Sequence, residues 1–315
     1  RKAGAALIAG CTIVIKPSQI TPENCTEFAH VVEESGLPAG VINIVTGRGS
    51  VIGNEMAGSP KVDIVSVTGS VSAGESIMKA AANNITKVSL ELGGKAPAIV
   101  FPDADLEASA QWILDSRIGN NGQICNNAER VYVHKDIKKE FTDILLRKFE
   151  AVKVGDPCKD HTVDMGPLVE KRALESVEAK VENAIKQGAK VLCGGHRVGD
   201  KGYFYAATLL DNCTQDMDII HEETFGPVLP IVEFEDTDQV IAWANDVEYG
   251  LASSVFTKDI DTAAKVTRGL EFGETYINRE HFEAMQGFHA GVKKSGIGGA
   301  DGKHGVEEYL VTHVT

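Results

Sequence analysis

The chain has 315 residues, of which 43% are hydrophobic and 24% are charged, and its formal net charge is −14. This length allows one large core or two smaller ones, and the acidic balance argues against nucleic acid or an anionic membrane as a partner. No apolar run approaches the ~20 residues that span a bilayer, and no secretory signal opens the sequence, so we expect a cytoplasmic protein.

The cysteines and histidines give no sign of a metal site or a disulfide framework. The six cysteines contain no Cys-x-x-Cys motif, and the nine histidines contain no His-Glu-x-x-His pair. We therefore expect reduced thiols and no metal.

Strand-like and helix-like segments alternate along the first part of the chain. Thr21, Pro22 and Glu23 have the residue types of a helix N-cap, first position and first turn. The predicted strands cover 12–18, 41–47, 62–69 and 86–94, and the predicted helices cover 21–35 and 70–83, with a short helix after residue 47.

The second part repeats this alternation with longer helices. The predicted helices are 105–118, 136–151, 169–188, 237–245 and 260–269, and the predicted strands lie near 130–134, 190–193, 228–234, 251–256 and 274–278. Apolar strands that alternate with helices predict a parallel α/β sheet, and the Gly-Gly pair at 93–94 suggests a boundary between two Rossmann-like lobes.

Two glycine-bearing loops follow predicted strands, where parallel sheets bind ligands. GRGSVIG (47–53) is one residue longer than the dinucleotide fingerprint, and an ordinary turn explains it equally well. GSVSAGES (69–76) has Glu75 at the lysine position of a P-loop, which argues against NTP binding. Ser70 opens a helix that suits one phosphate, although simple N-capping by its hydroxyl is an equal alternative.

The stretch GNNGQICNNAERVYVH (119–134) places Cys125 among small and polar residues, whereas a core cysteine usually has apolar neighbours. Taken alone, the stretch leaves an incidental free thiol as the more common interpretation.

Several motifs together resemble the NAD(P)-dependent aldehyde dehydrogenases over all 315 residues, in the order of that family. They are TIVIKPSQITP (12–22), VTGS (67–70), LELGGKAPAIV (90–100), GQICNNAER (122–130), EETFGPV (222–228) and SGIGGADGKHG (295–305). The resemblance implies a partial coenzyme-binding domain at 1–93, a catalytic domain at 94–292 and a C-terminal tail at 293–315. The tail would pack back on the coenzyme-binding or oligomerisation region.

The same resemblance implies the catalytic residues. Cys125 matches the nucleophile, whose thiolate makes the aldehyde tetrahedral and forms a thioester after hydride loss, while its own N–H donates to the oxyanion. Glu91 matches the base that activates water to hydrolyse the thioester. A salt-bridged carboxylate at the end of a strand is the alternative for Glu91.

The resemblance also implies the cofactor contacts. Lys16 matches the lysine that holds the adenosine ribose, and Gly49 and Ser70 match the region that binds the pyrophosphate. Glu223 matches the carboxylate that binds the nicotinamide ribose. The full predicted set is Lys16, Ser18, Gln19, Gly49, Ser70, Gly93, Glu223 and Phe225. A solvated Lys16 and a structural acid pair at 222–223 are the alternatives.

Gln19 departs from the family pattern, since many NAD-preferring members have Glu at this position. A neutral Gln would not repel a 2′-phosphate. We therefore expect NAD as cofactor, with tolerance of NADP.

The segment 279–289 carries Arg279, Glu280, His281, Glu283 and His289, which is polar for an aldehyde tunnel. Glu283 and His289 can bond the hydroxyl of a 2-hydroxyaldehyde, and Arg1 can join them. A solvated loop and a surface Arg1 are the alternatives. The tail from residue 278 is most similar to bacterial members that oxidise lactaldehyde or glycolaldehyde.

Other functions stay open beside this one. A semialdehyde is an alternative substrate, whereas Glu91 counts against a CoA-acylating relative that needs no water base. A silent scaffold or a bare nucleotide-binding module would leave Cys125 and Glu91 unexplained.

The resemblance implies that about a third of a typical family member would precede Arg1, including the Asn that supplies the other oxyanion donor. We expect an N-terminally truncated chain that is inactive and prone to aggregation when expressed alone, and a homodimer or homotetramer at full length. The C-terminal EEYLVTHVT resembles a strand that pairs across subunits.

Overall fold

A computed structural model describes residues 1–279 and 283–315. The helices are α1 (Lys2–Ile8), α2 (Glu23–Glu34), α3 (Asn54–Gly58), α4 (Val71–Ala81), α5 (Leu106–Ile118), α6 (Lys138–Glu150), α7 (Lys171–Gln187), α8 (Asp218–His221), α9 (Thr237–Asn245), α10 (Ile260–Gly269) and α11 (Gly302–Glu307). The strands are β1 (Ile13–Ile15), β2 (Ile42–Ile44), β3 (Ile64–Thr68), β4 (Lys87–Glu91), β5 (Ala96–Val100), β6 (Ala128–His134), β7 (Lys190–Cys193), β8 (Thr208–Cys213), β9 (Val228–Phe234), β10 (Tyr249–Gly250), β11 (Ala252–Phe256), β12 (Glu274–Ile277), β13 (Val292–Lys293) and β14 (Gly296–Ile297).

One compact unit comprises Arg1–Leu92, Glu283–Gly291 and Gly296–Thr315. Its larger sheet has the order β14-β4-β3, in which β3 and β4 are parallel and β14 is antiparallel to β4, while β1 and β2 form a separate parallel pair. A small core lies between α4 and this sheet and includes Ile77, Leu90 and Leu92. Leu92 packs so closely on α4 that a Cβ on Gly74 would lie 2.7 Å from Leu92 Cδ1.

The second unit runs from Gly93 to the end of the first described stretch and also includes Val292–Ser295. Its sheet has seven strands in the order β12-β11-β5-β6-β9-β8-β7, parallel except for β7, which is antiparallel to β8. Two buried apolar clusters fill the core around this sheet, one containing Tyr132 and Val228 and the other Phe141 and Val131. Because β5, β6 and β9 are parallel neighbours, the loops that enter them meet at one edge of the sheet.

The predicted α/β class with parallel sheets is confirmed, and the longer predicted helices are found within a few residues of their predicted bounds. The functional division at 93 and 292 remains a prediction. The two compact units differ from it, because Glu283–Gly291 belongs to the first unit.

One local prediction is wrong. α2 begins at Glu23 after Pro22, with no side-chain cap, so Thr21 is not the N-cap. In the single chain α11 ends at Glu307 and residues 311–315 are exposed without regular structure, so the predicted pairing of this segment across subunits stays a prediction.

Within the described residues, no helix is both long and apolar enough to cross a membrane. The same residues contain no group of His, Cys, Asp or Glu side chains arranged to hold a metal ion. All six cysteines are free thiols.

Candidate active site

The loop that carries Cys125 begins with two consecutive left-handed residues. Asn120 and Asn121 have φ values of 46° and 59°, a conformation that asparagine tolerates better than most residues. The Asn121 amide donates to the carbonyl of Pro167 at 2.7 Å, and Gln123 Oε1 accepts from the N–H of Val169 at 3.0 Å. Both bonds tie the loop before Cys125 to the segment 167–169, and the Cys125 side chain is partly exposed.

Gly93 and Gly94 bring the Cys125 backbone and the Glu223 carboxylate to the same place. A Cβ on Gly94 would lie 2.2 Å from the carbonyl oxygen of Cys125, so only glycine allows this approach. A Cβ on Gly93 would lie 2.8 Å from Glu223 Oε2, and the N–H of Gly94 donates to Glu223 Oε1 at 3.0 Å. Two of the predicted site residues are therefore neighbours in the second unit.

Ser295 fixes the first of these glycines. Its hydroxyl donates to the carbonyl of Gly93 at 2.7 Å and accepts from the N–H of Gly250 at 2.9 Å, and its side chain is fully buried. The SGIGG motif thus begins with a residue that positions the Gly-Gly pair.

Glu222 and Glu223 differ sharply in environment. Glu222 is exposed and forms an ion pair with Lys180. Burial raises the pKa of Glu223 to about 7, and the nearby charge of Glu129 acts in the same direction. The Gly94 N–H bond opposes that rise. Glu223 is therefore a partly protonated carboxyl group near neutral pH, as expected for a group at a functional site.

A buried ion cluster of Lys95, Arg117 and Glu129 lies next to Glu223. Lys95 Nζ is 2.7 Å from Glu129 Oε2, and Arg117 Nη1 is 3.3 Å from Glu129 Oε1. Burial lowers the pKa of Lys95 to about 8, while Glu129 opposes that fall. Removing one member of such a buried pair typically costs about 3–5 kcal/mol of stability.

The first unit holds a second cluster around Glu91, which ends β4 in the middle of the β14-β4-β3 sheet. His289 Nε2 lies 3.4 Å from Glu91 Oε2 and 3.5 Å from Glu283 Oε1. Arg1 forms an ion pair with Glu283 through Nη2 and another with Asp301 through Nε, the latter at 2.8 Å. All three predicted substrate residues therefore lie in one cluster with the predicted base.

Lys2 is a further cation of this cluster that the sequence reasoning missed. Burial lowers the pKa of Lys2 to about 8, and the charge of Glu91 opposes that fall. A buried ammonium favours the ionised form of a nearby carboxyl group.

Three predicted cofactor residues of the first unit, Lys16, Ser18 and Gln19, lie on one loop after β1. Ser18 and Gln19 are exposed, and Ser18 Oγ accepts from the N–H of Ile20 at 3.2 Å. Lys16 is half-buried, and its ammonium bonds the carbonyl of Pro17. These contacts leave the side chain of Gln19 in solvent.

Gly49 and Ser70 occupy the starts of helical segments. Gly49 begins a π-helical turn that ends at Gly53, and open space surrounds the position of its missing Cβ. Ser70 caps α4, because its hydroxyl accepts from the N–H of Ala73 at 3.3 Å. The capping alternative is thus realised, and a phosphate contact there remains a prediction.

Other predicted residues lie outside these clusters. Phe225 is 44% exposed, and Arg279 stacks on Tyr276 with its Cζ 5.5 Å from the ring centroid. Glu280 and His281 lie outside the described residues.

Sequence reasoning missed Lys95, Arg117 and Glu129. For Lys95 and Glu129 the signal was a charge inside an apolar strand pattern, as in GGKAPAIV and AERVYV, because such charges are buried only as pairs.

Residues 1–315 match the sequence profile of the aldehyde dehydrogenase family. The chain belongs to this family. It is 59% identical over 314 residues to the lactaldehyde dehydrogenase of Escherichia coli, and it spans 66% of that protein's length. A crystal structure of the E. coli enzyme superposes with a TM-score of 0.98 at 58% identity, covering 100% of this chain and 66% of the other.

Two further aldehyde dehydrogenase structures are similar to the chain. A 3,6-anhydro-L-galactose dehydrogenase in complex with NAP has a TM-score of 0.96 and 49% identity, covering 98% of this chain and 66% of its own. A point mutant of betaine aldehyde dehydrogenase from Staphylococcus aureus in complex with NAD+ has a TM-score of 0.95 and 40% identity, covering 98% of this chain and 64% of the other. The chain therefore spans just under two thirds of the length of these relatives.

Proposed function

We propose that the full-length protein oxidises a small 2-hydroxyaldehyde, such as lactaldehyde or glycolaldehyde, to the carboxylate with NAD or NADP. The observation that carries this proposal is the contact of Gly93 and Gly94 with both Cys125 and Glu223. This contact supports a site in which the backbone at Gly93 and Gly94 holds a nucleophile and a cofactor-binding carboxylate close together. Kinship with a lactaldehyde dehydrogenase supports the substrate class.

In this proposal Cys125 is the nucleophile. Its thiolate adds to the carbonyl carbon, and the Cys125 N–H donates to the oxygen that gains negative charge. Bound NAD or NADP supplies the acceptor for the hydride that leaves this carbon, and a thioester to Cys125 remains. The partial exposure of the Cys125 side chain supports this role, because the thiol is open to a substrate.

Glu91 is the proposed base for the second half of the reaction. It takes a proton from water, the hydroxide attacks the thioester carbon, and the Cys125 thiolate leaves as the carboxylic acid forms. The buried position of Glu91 beside the Lys2 ammonium supports the role, since an ionised carboxylate is required to take the proton.

The cofactor assignments fit the observed contacts. The Glu223 carboxylate lies directly against Gly93, at a position where any larger side chain would collide with it. Phe225, two residues on, offers an exposed ring beside it. In the first unit, Lys16, Ser18 and Gln19 are proposed to hold the adenosine ribose. The open backbone at Gly49 and the helix start at Ser70 are proposed to bind the pyrophosphate.

Arg1, Glu283 and His289 are the proposed substrate residues. Arg1, which is paired with two carboxylates, and the imidazole of His289 present donors and acceptors for a hydroxyl next to the carbonyl. A site built to pair a hydroxyl discriminates strongly against analogues that lack one. A semialdehyde remains the second candidate, because Arg1 can also bind a carboxylate.

The test uses the full-length protein and follows NADH absorbance with lactaldehyde, glycolaldehyde, propanal and succinic semialdehyde. We expect kcat/KM for the hydroxyaldehydes to exceed that for propanal by about 10-fold or more. Iodoacetamide should inactivate the enzyme, and substrate should slow this. Cys158→Ala, which removes an exposed thiol, is the matched control and should change neither result. No NADH with any aldehyde would reject the proposal, and a preference for the semialdehyde would favour the second candidate.

A further inference from the structure

The buried ion cluster of Lys95, Arg117 and Glu129 lies where three loops enter the central strands of the second unit. Lys95 precedes β5, Glu129 lies near the start of β6, and Arg117 comes from α5. The Lys95, Arg117 and Glu129 side chains are at most 1% exposed. Charges buried this deeply are tolerated because each has an opposite charge beside it.

Glu129 connects the cluster to the loop that carries Glu223. Its Oε2 accepts from Lys95 Nζ at 2.7 Å and from the N–H of Thr224 at 2.9 Å. Lys95 follows Gly94 directly, and the Gly94 N–H donates to Glu223 Oε1 at 3.0 Å. One carboxylate thus holds the residue after Glu223 and, through Lys95, the backbone on which the Glu223 carboxylate lies.

Arg117 extends the same connection to the cysteine loop. It donates to the carbonyls of Thr224 and Gly226 and, at 2.7 Å, to Asn127 Oδ1, two residues beyond Cys125. The two loops also pack closely at Gly122, where only glycine fits, because a Cβ there would lie 2.2 Å from the carbonyl oxygen of Gly226. The relative position of the Cys125 and Glu223 loops therefore depends on the buried ion cluster.

We propose that Glu129 is a positioning residue that holds the Glu223 carboxylate in place for the cofactor ribose, acting through Lys95 and the Thr224 N–H. This inference rests on the proposed function, in which Glu223 binds that ribose. Glu129 itself is buried beneath the loop and acts only through these partners.

Glu129 also sets the electrostatic environment of Glu223. The charged groups that act on Glu223 are Glu129, Lys95 and Arg117, and Tyr249 lies within the electrostatic reach of both Glu223 and Glu129. Glu129 raises the pKa of Glu223, whereas Lys95 and Arg117 lower it. Glu129→Gln would remove the raising charge and leave the two cations, so the pKa of Glu223 should fall.

The experiment measures the NAD dissociation constant from pH 5.5 to 8.5 in the full-length enzyme and in its Glu129→Gln variant. We expect the dissociation constant at pH 8.5 to rise about 10-fold, as loss of a charged hydrogen bond typically does. We also expect the midpoint of the pH profile to shift down by roughly one unit. Glu233→Gln, which neutralises an exposed carboxylate on β9, should change neither value.

A second variant decides the matter if Glu129→Gln does not fold. The double variant Lys95→Met, Glu129→Leu replaces the buried pair with apolar side chains, an exchange that often preserves stability. It should unfold cooperatively yet bind NAD about 10-fold more weakly at pH 8.5. Binding within twofold of the parent and an unchanged midpoint in a folded variant would overturn the inference. Failure of both variants to fold would reject positioning in favour of a purely structural role.

Glu223→Gln, measured in parallel, separates the two levels of the proposal. If it binds NAD as the parent does, the proposed cofactor role of Glu223 is wrong, and this inference is wrong with it. If it weakens NAD binding while the folded Glu129 variants do not, only the positioning role of Glu129 is overturned.

Discussion

His289 Nε2 lies between two carboxylates, 3.4 Å from Glu91 Oε2 and 3.5 Å from Glu283 Oε1, and the His289 side chain is only 3% exposed. The backbone of His289 is fixed as well, by reciprocal hydrogen bonds of 2.8 and 2.7 Å with Ala300. The ring therefore connects the proposed water-activating base with the proposed substrate-binding carboxylate. Substrate recognition and thioester hydrolysis should share this one side chain.

His289→Ala should reduce the preference for hydroxyaldehydes. Without the ring, a substrate hydroxyl loses a buried partner, which typically costs about 1–3 kcal/mol. We expect the ratio of kcat/KM for lactaldehyde to that for propanal to fall about 10- to 100-fold. His30→Ala, at an exposed position on α2, is the control. An unchanged ratio in the His289→Ala variant would show that His289 does not bind the substrate hydroxyl.

Glu91→Gln should separate hydride loss from hydrolysis. The variant keeps the Cys125 nucleophile, so a rapid burst of about one NADH per site should remain, while steady turnover should fall about 10²- to 10⁴-fold. Stopped-flow absorbance measures both phases. Glu75→Gln, an exposed change on α4, should leave both intact. Loss of the burst itself would place the action of Glu91 before hydride loss.

The two adjacent glycines should respond differently to alanine. A Cβ on Gly93 meets the end of the Glu223 side chain, which can move. Gly93→Ala should therefore raise the NAD dissociation constant while changing the free energy of unfolding little. A Cβ on Gly94 meets the backbone carbonyl of Cys125 at 2.2 Å, so Gly94→Ala should destabilise the fold by about 2 kcal/mol or more. Thermal unfolding and NAD titration distinguish them. Gly166→Ala, whose Cβ would make ordinary contacts at 3.5 Å, is the control.

The periodic parts of the sequence predicted the fold well. Segments such as 105–118 and 228–234 had a clear helical or apolar strand pattern, and tertiary packing realised them as α5 and β9. The prediction failed for short segments, because such a segment forms a strand only when a neighbouring strand pairs with it. β14 has two residues, and it is a strand only because it pairs with Leu90 and Glu91.

The candidate site was predictable only in part. Sequence motifs identified Cys125, Glu91 and Glu223 as candidates, because the proposed chemistry restricts the residue type at each of these positions. The ion pair of Lys95 with Glu129 joins residues 34 positions apart in sequence, and no local pattern specifies such a pairing. The contact of Arg1 with Asp301 spans nearly the whole chain and is fixed only by the fold.

Gln19→Glu should strengthen the preference for NAD. Gln19 is exposed, so the added charge is screened by solvent, yet it would still repel a 2′-phosphate at short range. We expect kcat/KM with NADP to fall about 10-fold while the value with NAD changes by less than about twofold. Asn24→Asp adds the same charge at another exposed position and serves as the control. Equal cofactor preference in the parent and the Glu variant would contradict the proposed role of Gln19.

The raised pKa of Glu223 predicts a specific pH dependence of stability. Burial lifts the pKa from 4.5 to about 7, so the folded state binds more protons than the unfolded state between these values. Its contribution to stability is therefore greatest below pH 4.5 and is lost as the pH rises through 7.

At pH 8 the ionised, buried Glu223 should cost up to about 3 kcal/mol, and Glu223→Gln should remove most of this cost. The variant should thus gain stability over the parent at pH 8 and much less at pH 5, measured by urea unfolding at both values. Glu222→Gln, at the adjacent exposed position, is the matched control and should show no such difference. An equal effect of Glu223→Gln at both pH values would mean that the carboxyl titrates outside this range.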